Sequence, residues 1–267
     1  NGAIMNSKNR KLRKRGLNWL IWPALAAAAA AGVFMLSKNR FDPVAEGREY
    51  LSMQDSKDLQ DISARLDKRR IEELESSISV DPENVFSMFH DYAFLGDSRV
   101  VGFSTYGCLD DARIFAAGGD TIKDIDQHLD ELKSLQPSVI YLSYGFNDTG
   151  RNVGEGEGGY GAVYEAQSDK ILNVVPKAKI VVNSIIAPSP EAIARSPRWA
   201  SYTDFNSQVK AMCEKRGWIY VDNGPIDQGG AADIYQPDGV HFLSPFYNVW
   251  GQNIMNAQMK SEIKGKL

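Results

Sequence analysis

The sequence has few residues of the kinds that bind metals or form covalent cross-links. Only two cysteines, Cys108 and Cys213, and three histidines occur among its 267 residues, and the histidines lie far apart in sequence. No group of His and Cys residues has metal-ligand spacing, so a metal site is not predicted. The two cysteines permit one disulfide in an oxidising compartment, but their spacing does not require it, and we expect two free buried thiols.

The chain also has no excess of positive charge. Its 30 Lys and Arg residues and 34 Asp and Glu residues leave a formal net charge of -4, and 43% of the residues are hydrophobic. This balance is ordinary for a globular region and does not indicate a nucleic-acid-binding protein. The basic residues that do cluster are Lys8, Arg10, Lys11, Arg13, Lys14 and Arg15.

No charged side chain occurs from Leu17 to Leu36. Twenty helical residues span about 30 Å, which is the thickness of a bilayer core, so residues 17–36 are predicted to form a transmembrane anchor. The basic cluster before it predicts that residues 1–16 are a cytoplasmic tail and that the body of the chain is extracytoplasmic. Secretion after signal cleavage is the alternative, because the small residues from Ala24 to Ala31 have cleavage-like spacing. The apolar run continues past any such site, which favours the uncleaved anchor.

Residues 37–80 are rich in charge and are predicted to form a helical stalk or linker. Its apolar residues recur at mostly three- and four-residue spacings, typical of an amphipathic helix. They are Leu59, Ile62, Leu66, Ile71, Leu74 and Ile78. Such a stripe packs on its own domain or pairs with a partner helix, and we expect the former. Asp81-Pro82-Glu83-Asn84 is typical of a helix start, which places the main domain at 81–267.

Short apolar runs alternate with longer amphipathic segments in this main domain. The predicted strands are Tyr92–Leu95, Arg113–Ala117, Ser138–Tyr144, Lys179–Ile186 and Trp218–Val221. Continuous apolar runs of this kind are typical of strands that are buried on both faces of a parallel sheet. The pattern therefore predicts an α/β fold with three α/β/α layers, whose ligands bind at the carboxyl ends of the strands.

Residues able to carry out acyl transfer follow several of these strands. Ser98, in Gly96-Asp97-Ser98, is a candidate nucleophile at the end of the first strand, although a helix cap has the same pattern. Asp238 precedes His241 by three residues, which is close enough for its carboxylate to bond the imidazole ring and fix its tautomer. The same spacing also occurs in an ordinary turn that carries a surface histidine. His90 and His128 lack such a companion, and we interpret them as structural or surface residues.

Two further residues could stabilise the oxyanion that forms when a serine attacks an acyl carbon. Gly119 can present a backbone N–H with no side chain in the way, and Asn147 can donate from its amide. Each is also an ordinary turn residue. The coincidence of these elements at successive strand ends nevertheless predicts a serine acyl-transfer site. The glycine-rich stretch Arg151–Gly159 is either the rim of that site or a flexible connection.

Four short blocks resemble those of the SGNH hydrolases, also called GDSL-like esterases and lipases, from roughly Tyr92 to Leu267. They are Gly96-Asp97-Ser98, Gly119-Asp120-Thr121, Gly145-Phe146-Asn147-Asp148 and Asp238-Gly239-Val240-His241, in the family's order. The resemblance implies that Ser98 is the nucleophile, His241 the general base and then acid, and Asp238 the orienting acid. It also implies an oxyanion hole made by the N–H groups of Ser98 and Gly119 and the amide of Asn147, and a flavodoxin-like sheet.

The sequence departs from the commonest family pattern at Arg99, where many members carry leucine. A guanidinium at this position either contacts an anionic or sugar substrate or begins a helix facing solvent. Tyr144 and Phe146 are the other predicted substrate contacts. Together with Trp199 and Tyr202 they could form an aromatic floor for a sugar, or they could serve in packing.

The sequence predicts an extracytoplasmic serine esterase that needs no cofactor and removes acyl groups, O-acetyl above all, from a carbohydrate or cell-wall glycan. Its partners would be that acylated substrate and the membrane, and not nucleic acid. Two alternatives stay open: an O-acetyltransferase that uses the same three residues, and a non-catalytic surface protein that binds a glycan or a partner. A lipase or thioesterase is also possible, although no extended apolar segment resembles a lid.

Overall fold

The computed structural model describes residues 26–31, 44–78 and 80–265. The chain divides into two compact units, residues 1–66 and 67–267. The predicted tail, 1–16, and most of the predicted transmembrane segment, 17–36, lie outside the described residues; within that segment residues 26–31 are helical. Among the helices that the structure describes, none has the length and apolar character needed to span a bilayer.

A long helix, α1 (Ala45–Ser77), occupies most of the predicted stalk, and none of its residues is buried. The first three members of the apolar stripe, Leu59, Ile62 and Leu66, are 67%, 53% and 59% exposed. That the stripe packs on its own domain stays a prediction for these three residues, which belong to the first unit. The second unit begins at Asp67, within α1, and just after this helix Ile78 packs against the buried core of that unit.

The second unit is built on a five-stranded parallel sheet with the strand order β2-β1-β3-β4-β5. The strands are β1 (Tyr92–Gly96), β2 (Ile114–Ala116), β3 (Val139–Ser143), β4 (Lys179–Asn183) and β5 (Ile219–Val221). Every strand lies inside its predicted range, apart from Gly96 at the end of β1. The predicted fourth strand continued to Ile186, but Ile185 leaves the sheet because its N–H donates to the side chain of Asn206 at 2.7 Å.

After β1, six α-helices of the second unit lie between successive strands and two follow β5. They are α2 (Ser98–Thr105), α3 (Leu129–Leu135), α4 (Phe146–Gly150), α5 (Tyr160–Val174), α6 (Pro190–Arg195), α7 (Tyr202–Arg216), α8 (Gly224–Asp227) and α9 (Ser244–Lys264). Short 3-10 helices span Val85–Met88, Asp111–Arg113, Ile122–His128, Pro197–Ser201 and Gln228–Gly230. The third of these begins at a capping box, in which Thr121 and Asp124 exchange hydrogen bonds.

Alternate residues of each strand enter separate cores on the two faces of the sheet. On one face Leu95 and Leu142 pack with residues of α5 and α7. On the other, Phe94 packs with Phe103 of α2 and Trp250 of α9. Because both faces are covered, the strands are apolar throughout, as expected for a parallel sheet. The prediction of three α/β/α layers is confirmed.

The two cysteines, Cys108 and Cys213, are free thiols. Burial raises the pKa of the Cys213 thiol to about 12, so that this group stays protonated at neutral pH.

Candidate active site

The residues that were predicted to carry out acyl transfer lie together at the point where the order of the strands reverses. The chain leaves β1 toward β2 on one side and later enters β3 on the other side of β1. A crevice forms at the carboxyl ends of strands at such a switch point, and ligands of open α/β sheets bind there. Ser98 follows β1 directly, and Asn147 lies in the short helix that follows β3.

Ser98 is the first residue of α2, and the cap of this helix is Asp97. The Asp97 carboxylate accepts a hydrogen bond from the backbone N–H of Arg99 at 2.9 Å. This cap leaves the Ser98 hydroxyl free for another partner, and Ser98 remains partly exposed. The interpretation of Ser98 as a mere helix cap is therefore wrong, because the residue before it performs that function.

The side chains of Ser98, His241 and Asp238 form a continuous hydrogen-bonded chain. His241 Nε2 lies 3.0 Å from Ser98 Oγ, and His241 Nδ1 lies 2.6 Å from Asp238 Oδ2. A carboxylate only accepts hydrogen bonds, so Nδ1 carries the proton and Nε2 is free to accept one from the serine. The His241 and Asp238 side chains are 40% and 46% exposed, which makes the site open to solvent.

The other carboxylate oxygen of Asp238 holds its own turn together. Oδ1 accepts from the backbone N–H groups of Val240 at 2.8 Å and His241 at 2.9 Å. Partial burial raises the pKa of Asp238, but the hydrogen bonds from His241 and Val240 outweigh it, and the net result is a pKa below the ordinary value. Asp238 is therefore ionised at neutral pH and stabilises a protonated imidazole.

Two residues lie where they could donate to an oxyanion. Gly119 has φ +89, a conformation that favours glycine. Asn147 donates one amide N–H to the backbone oxygen of Asp120 at 2.9 Å, which orients its side chain and leaves its second N–H available. Thus Ser98, Gly119 and Asn147, predicted as oxyanion donors, come from three separate segments at one edge of the sheet.

Arg99 does not contact the open site or face solvent, contrary to both predictions. Its side chain is buried, with Nε donating to the oxygen of Val240 at 3.1 Å and Nη1 to that of Ile186 at 2.6 Å. Arg99 therefore ties the helix behind the serine to the loop that carries His241. Burial raises the pKa of Asp97 to about 6, and the charge of Arg99 opposes this rise.

Tyr144 and Phe146 are also buried rather than open to a substrate, so the prediction that they contact substrate is wrong in this structure. Phe146 lies between the guanidinium of Arg99, 4.1 Å from its ring centroid, and the ring of Trp199 at 4.6 Å. The aromatic residues after β3 therefore serve in packing. Trp199 and Tyr202, in the weaker aromatic-floor hypothesis, are partly exposed.

Sequence reasoning missed the segment from α6 to the Pro197–Ser201 helix. Arg195 donates a hydrogen bond to the backbone oxygen of Asp238, and Arg198 donates to that of Gly150 at 3.4 Å. This segment therefore joins the loop of Asp238 to the helix of Asn147. Its Ser189-Pro190 helix start was visible in the sequence, but nothing there showed which loops the arginines reach.

A buried carboxyl, Asp148, lies beside Asn147. Its Oδ1 accepts from the backbone N–H of Ile122 at 3.0 Å, whereas Oδ2 has no hydrogen-bond partner within the described part of the chain. Burial raises the pKa of Asp148 to about 7, despite the opposing effect of that hydrogen bond. The folded state therefore binds a proton at this position more tightly than the unfolded state does.

This raised pKa predicts that the free energy of unfolding falls as the pH rises from about 4 to about 7, by up to ~1.4 kcal/mol per pH unit from this group. Asp148→Asn keeps an acceptor for Ile122 and cannot ionise, so it is expected to make the decline less steep. Asp97 and the other carboxyl groups whose pKa is raised by burial contribute to the part that remains. Urea unfolding at four pH values tests this. Asp130→Asn, at an exposed position of α3, controls for net charge. Equal slopes for Asp148→Asn and wild type would contradict the prediction.

The fold and the serine, histidine and aspartate at its switch point define a serine hydrolase that acts on ester bonds. Residues 94–247 match the GDSL-like lipase/acylhydrolase family, and the chain belongs to that family. The predicted membership of the SGNH hydrolases is confirmed. No curated protein matches the chain.

Solved structures to which the chain is similar include esterases and lipases of low sequence identity. A GDSL-like lipase from Bacteroides thetaiotaomicron is 17% identical, with a TM-score of 0.47, over 74% of this chain and 98% of that one. A lipase/acylhydrolase from Enterococcus faecalis is 14% identical, with a TM-score of 0.49, over 64% and 96%. A carbohydrate esterase family 3 protein from Talaromyces cellulolyticus is 17% identical, with a TM-score of 0.47, over 65% and 98%.

Proposed function

We propose that this protein is an extracytoplasmic serine esterase that removes acyl groups, O-acetyl above all, from a carbohydrate or cell-wall glycan. Ser98 is the nucleophile, His241 the general base and then acid, and Asp238 the residue that orients the imidazole. The observation that carries the proposal is the hydrogen-bonded chain from Asp238 through His241 to Ser98, with distances of 2.6 and 3.0 Å. These distances are within the reach that proton transfer requires.

In the first half of the reaction, Ser98 Oγ attacks the ester carbonyl carbon while its proton passes to His241 Nε2. The carbonyl oxygen becomes an oxyanion, which accepts hydrogen bonds from Ser98 N–H, Gly119 N–H and the free amide N–H of Asn147. The bond to the alcohol then breaks, the alcohol takes the proton from His241, and an acyl-enzyme remains.

In the second half, His241 accepts a proton from a water molecule whose oxygen attacks the acyl carbon. The bond to Ser98 Oγ breaks, the serine takes the proton back, and the acid product leaves. Asp238 remains ionised throughout, since its pKa lies below the ordinary value, and it stabilises the imidazolium in both halves.

The openness of the site supports a large alcohol such as a glycan. The His241 and Asp238 side chains are 40% and 46% exposed, so an ester that projects from a bulky molecule can reach Ser98 without a pocket closing around it. The proposed location outside the cytoplasm rests on the uncharged run at 17–36 and the basic cluster before it. A domain held there meets envelope glycans before it meets cytoplasmic metabolites.

Covalent labelling of the full-length chain tests the nucleophile directly. A fluorophosphonate is expected to react with Ser98 Oγ alone, giving one adduct per chain that peptide mass spectrometry places on this residue, and to abolish hydrolysis of 4-nitrophenyl acetate in proportion. Preincubation with a slowly hydrolysed ester should protect it. Labelling of another serine, or full activity after Ser98 is labelled, would contradict the proposal.

A further inference from the structure

Three exposed arginines contact segments that carry candidate active-site residues, and two of them belong to the segment formed by α6 and the Pro197–Ser201 helix. Arg195 donates to the backbone oxygen of Asp238, the residue that orients His241. Arg198 donates at 3.4 Å to that of Gly150, the last residue of the helix that contains Asn147. The segment thus holds one guanidinium against the backbone of Asp238 and another against the end of the helix that contains Asn147.

The third arginine, Arg151, directly follows the helix that contains Asn147. Its backbone N–H donates to the backbone oxygens of Asn147 at 3.1 Å and Asp148 at 3.2 Å, and these bonds fix the position of the Arg151 backbone. Its Nη2 reaches to within 3.4 Å of the point where a Cβ on Gly119 would lie. The guanidinium therefore lies against the proposed oxyanion-hole glycine.

None of these arginines forms an ion pair within the described ranges, whereas Arg113 and Arg216 do. Asp120 and Glu191 are close enough to interact electrostatically with Arg151 and Arg195. Asp120, Glu191 and the ionised Asp238 thus offset the charge of the three guanidiniums, so an anion is recognised here by free N–H donors and not by a net positive charge. Each guanidinium has five N–H donors, of which at most one is used here, so most of them are free for a ligand.

We propose that the site selects an ester whose parent molecule carries a carboxylate or phosphate close to the acyl group. This inference rests on the proposed esterase function and adds the chemical class of its substrate. Arginine matches both anions because its planar fork can donate two parallel hydrogen bonds to their oxygens. The attraction between the substrate anion and the nearest guanidinium adds to these hydrogen bonds, and salt weakens that attraction.

Matched ester pairs test the preference with the full-length chain. The pair 4-acetoxybenzoate and its methyl ester places a negative charge, or none, on the alcohol side. The pair 4-nitrophenyl hydrogen succinate and 4-nitrophenyl methyl succinate does the same on the acyl side. We expect kcat/KM to favour the anionic member of at least one pair about tenfold in low salt, and the preference to shrink at 0.5 M NaCl. The pair that shows it identifies the side that carries the anion.

Variants of the three arginines test whether these residues cause the preference for the anionic ester. Arg151→Gln, Arg195→Gln and Arg198→Gln are each expected to lower the anionic-to-neutral ratio of kcat/KM about threefold, and the triple variant about tenfold or more. Lys177→Gln removes an exposed charge before β4, at the opposite edge of the sheet, and is expected to keep the wild-type ratio. Equal ratios in wild type and the triple variant would overturn the proposal.

Ester binding to the Ser98→Ala variant tests the anionic preference independently of the proposed esterase function. Calorimetry of that variant with intact 4-acetoxybenzoate and its methyl ester measures charge selectivity without turnover, and adding the three arginine changes is expected to abolish the difference. Equal affinities before those changes would overturn the anionic preference even in an active enzyme. Selective binding without Ser98-dependent hydrolysis of any ester would overturn the esterase function and retain the anion site.

Discussion

Replacing Ser98 by alanine is expected to lower kcat/KM for 4-nitrophenyl acetate by about 10⁴-fold or more, because the acyl-enzyme can no longer form. The variant should fold normally. Asp97 rather than Ser98 caps α2, and its bond to the Arg99 N–H does not involve the serine hydroxyl. Stopped-flow and steady-state assays, with equal thermal unfolding midpoints as the check on folding, measure this effect.

Ser104→Ala is the matched control, since Ser104 lies on the same helix and its hydroxyl donates only to the oxygen of Val101 at 3.1 Å. It should keep wild-type kcat/KM within about twofold, as is usual for a serine that bonds only its own helix. If Ser98→Ala kept more than a tenth of the wild-type activity, another group would be the nucleophile and the assignment of His241 as its base would also fail.

Replacing Arg99 by methionine is expected to destabilise the second unit by about 3–5 kcal/mol, because it removes two buried hydrogen bonds from a charged donor, each contributing about 1.5–3 kcal/mol. The carbonyl groups of Val240 and Ile186 would lose their donors. The Asp97 carboxylate, which is 2% exposed, would lose the neighbouring charge that favours its ionised form. Urea unfolding measures the loss.

Three variants test this explanation of the Arg99 effect. Arg99→Lys keeps the charge but not the two directed donors, so an intermediate loss is expected. Asp97→Asn combined with Arg99→Met removes the uncompensated carboxylate and should recover part of the stability. Arg70→Met, at an exposed position of α1, should change stability little. A loss below about 1 kcal/mol for Arg99→Met would contradict the explanation.

The strands and the triad were predictable because both depend on short stretches of sequence. A strand buried on both faces needs a continuous apolar run, as in Val139–Leu142, and every predicted run contains a strand. The turn from Asp238 to His241 brings its two side chains together over three residues, whatever lies around it. Their approach to Ser98 then follows from the rule that the carboxyl ends of parallel strands share one edge of the sheet.

The substrate contacts were mispredicted because they depend on packing between distant segments. Arg99 was expected at the site or in solvent. It is 141 positions from Val240 in sequence, yet the chain folds so that the Arg99 guanidinium is enclosed and bonds the backbone oxygen of Val240. Phe146 was expected to face a sugar, yet it packs between that guanidinium and Trp199. Neither environment leaves a local pattern in the chain.

The sequence by itself therefore determined the α/β class, the serine, histidine and aspartate, and the uncharged run at 17–36, because each follows from local composition, periodicity or spacing. Only the tertiary structure decided which arginines approach the site. It buries Arg99 and brings Arg151, Arg195 and Arg198 into contact with Gly119, Asp238 and Gly150. The physical reason is that a guanidinium is placed by the backbone oxygens and rings it meets, and those come from parts of the chain far from it in sequence.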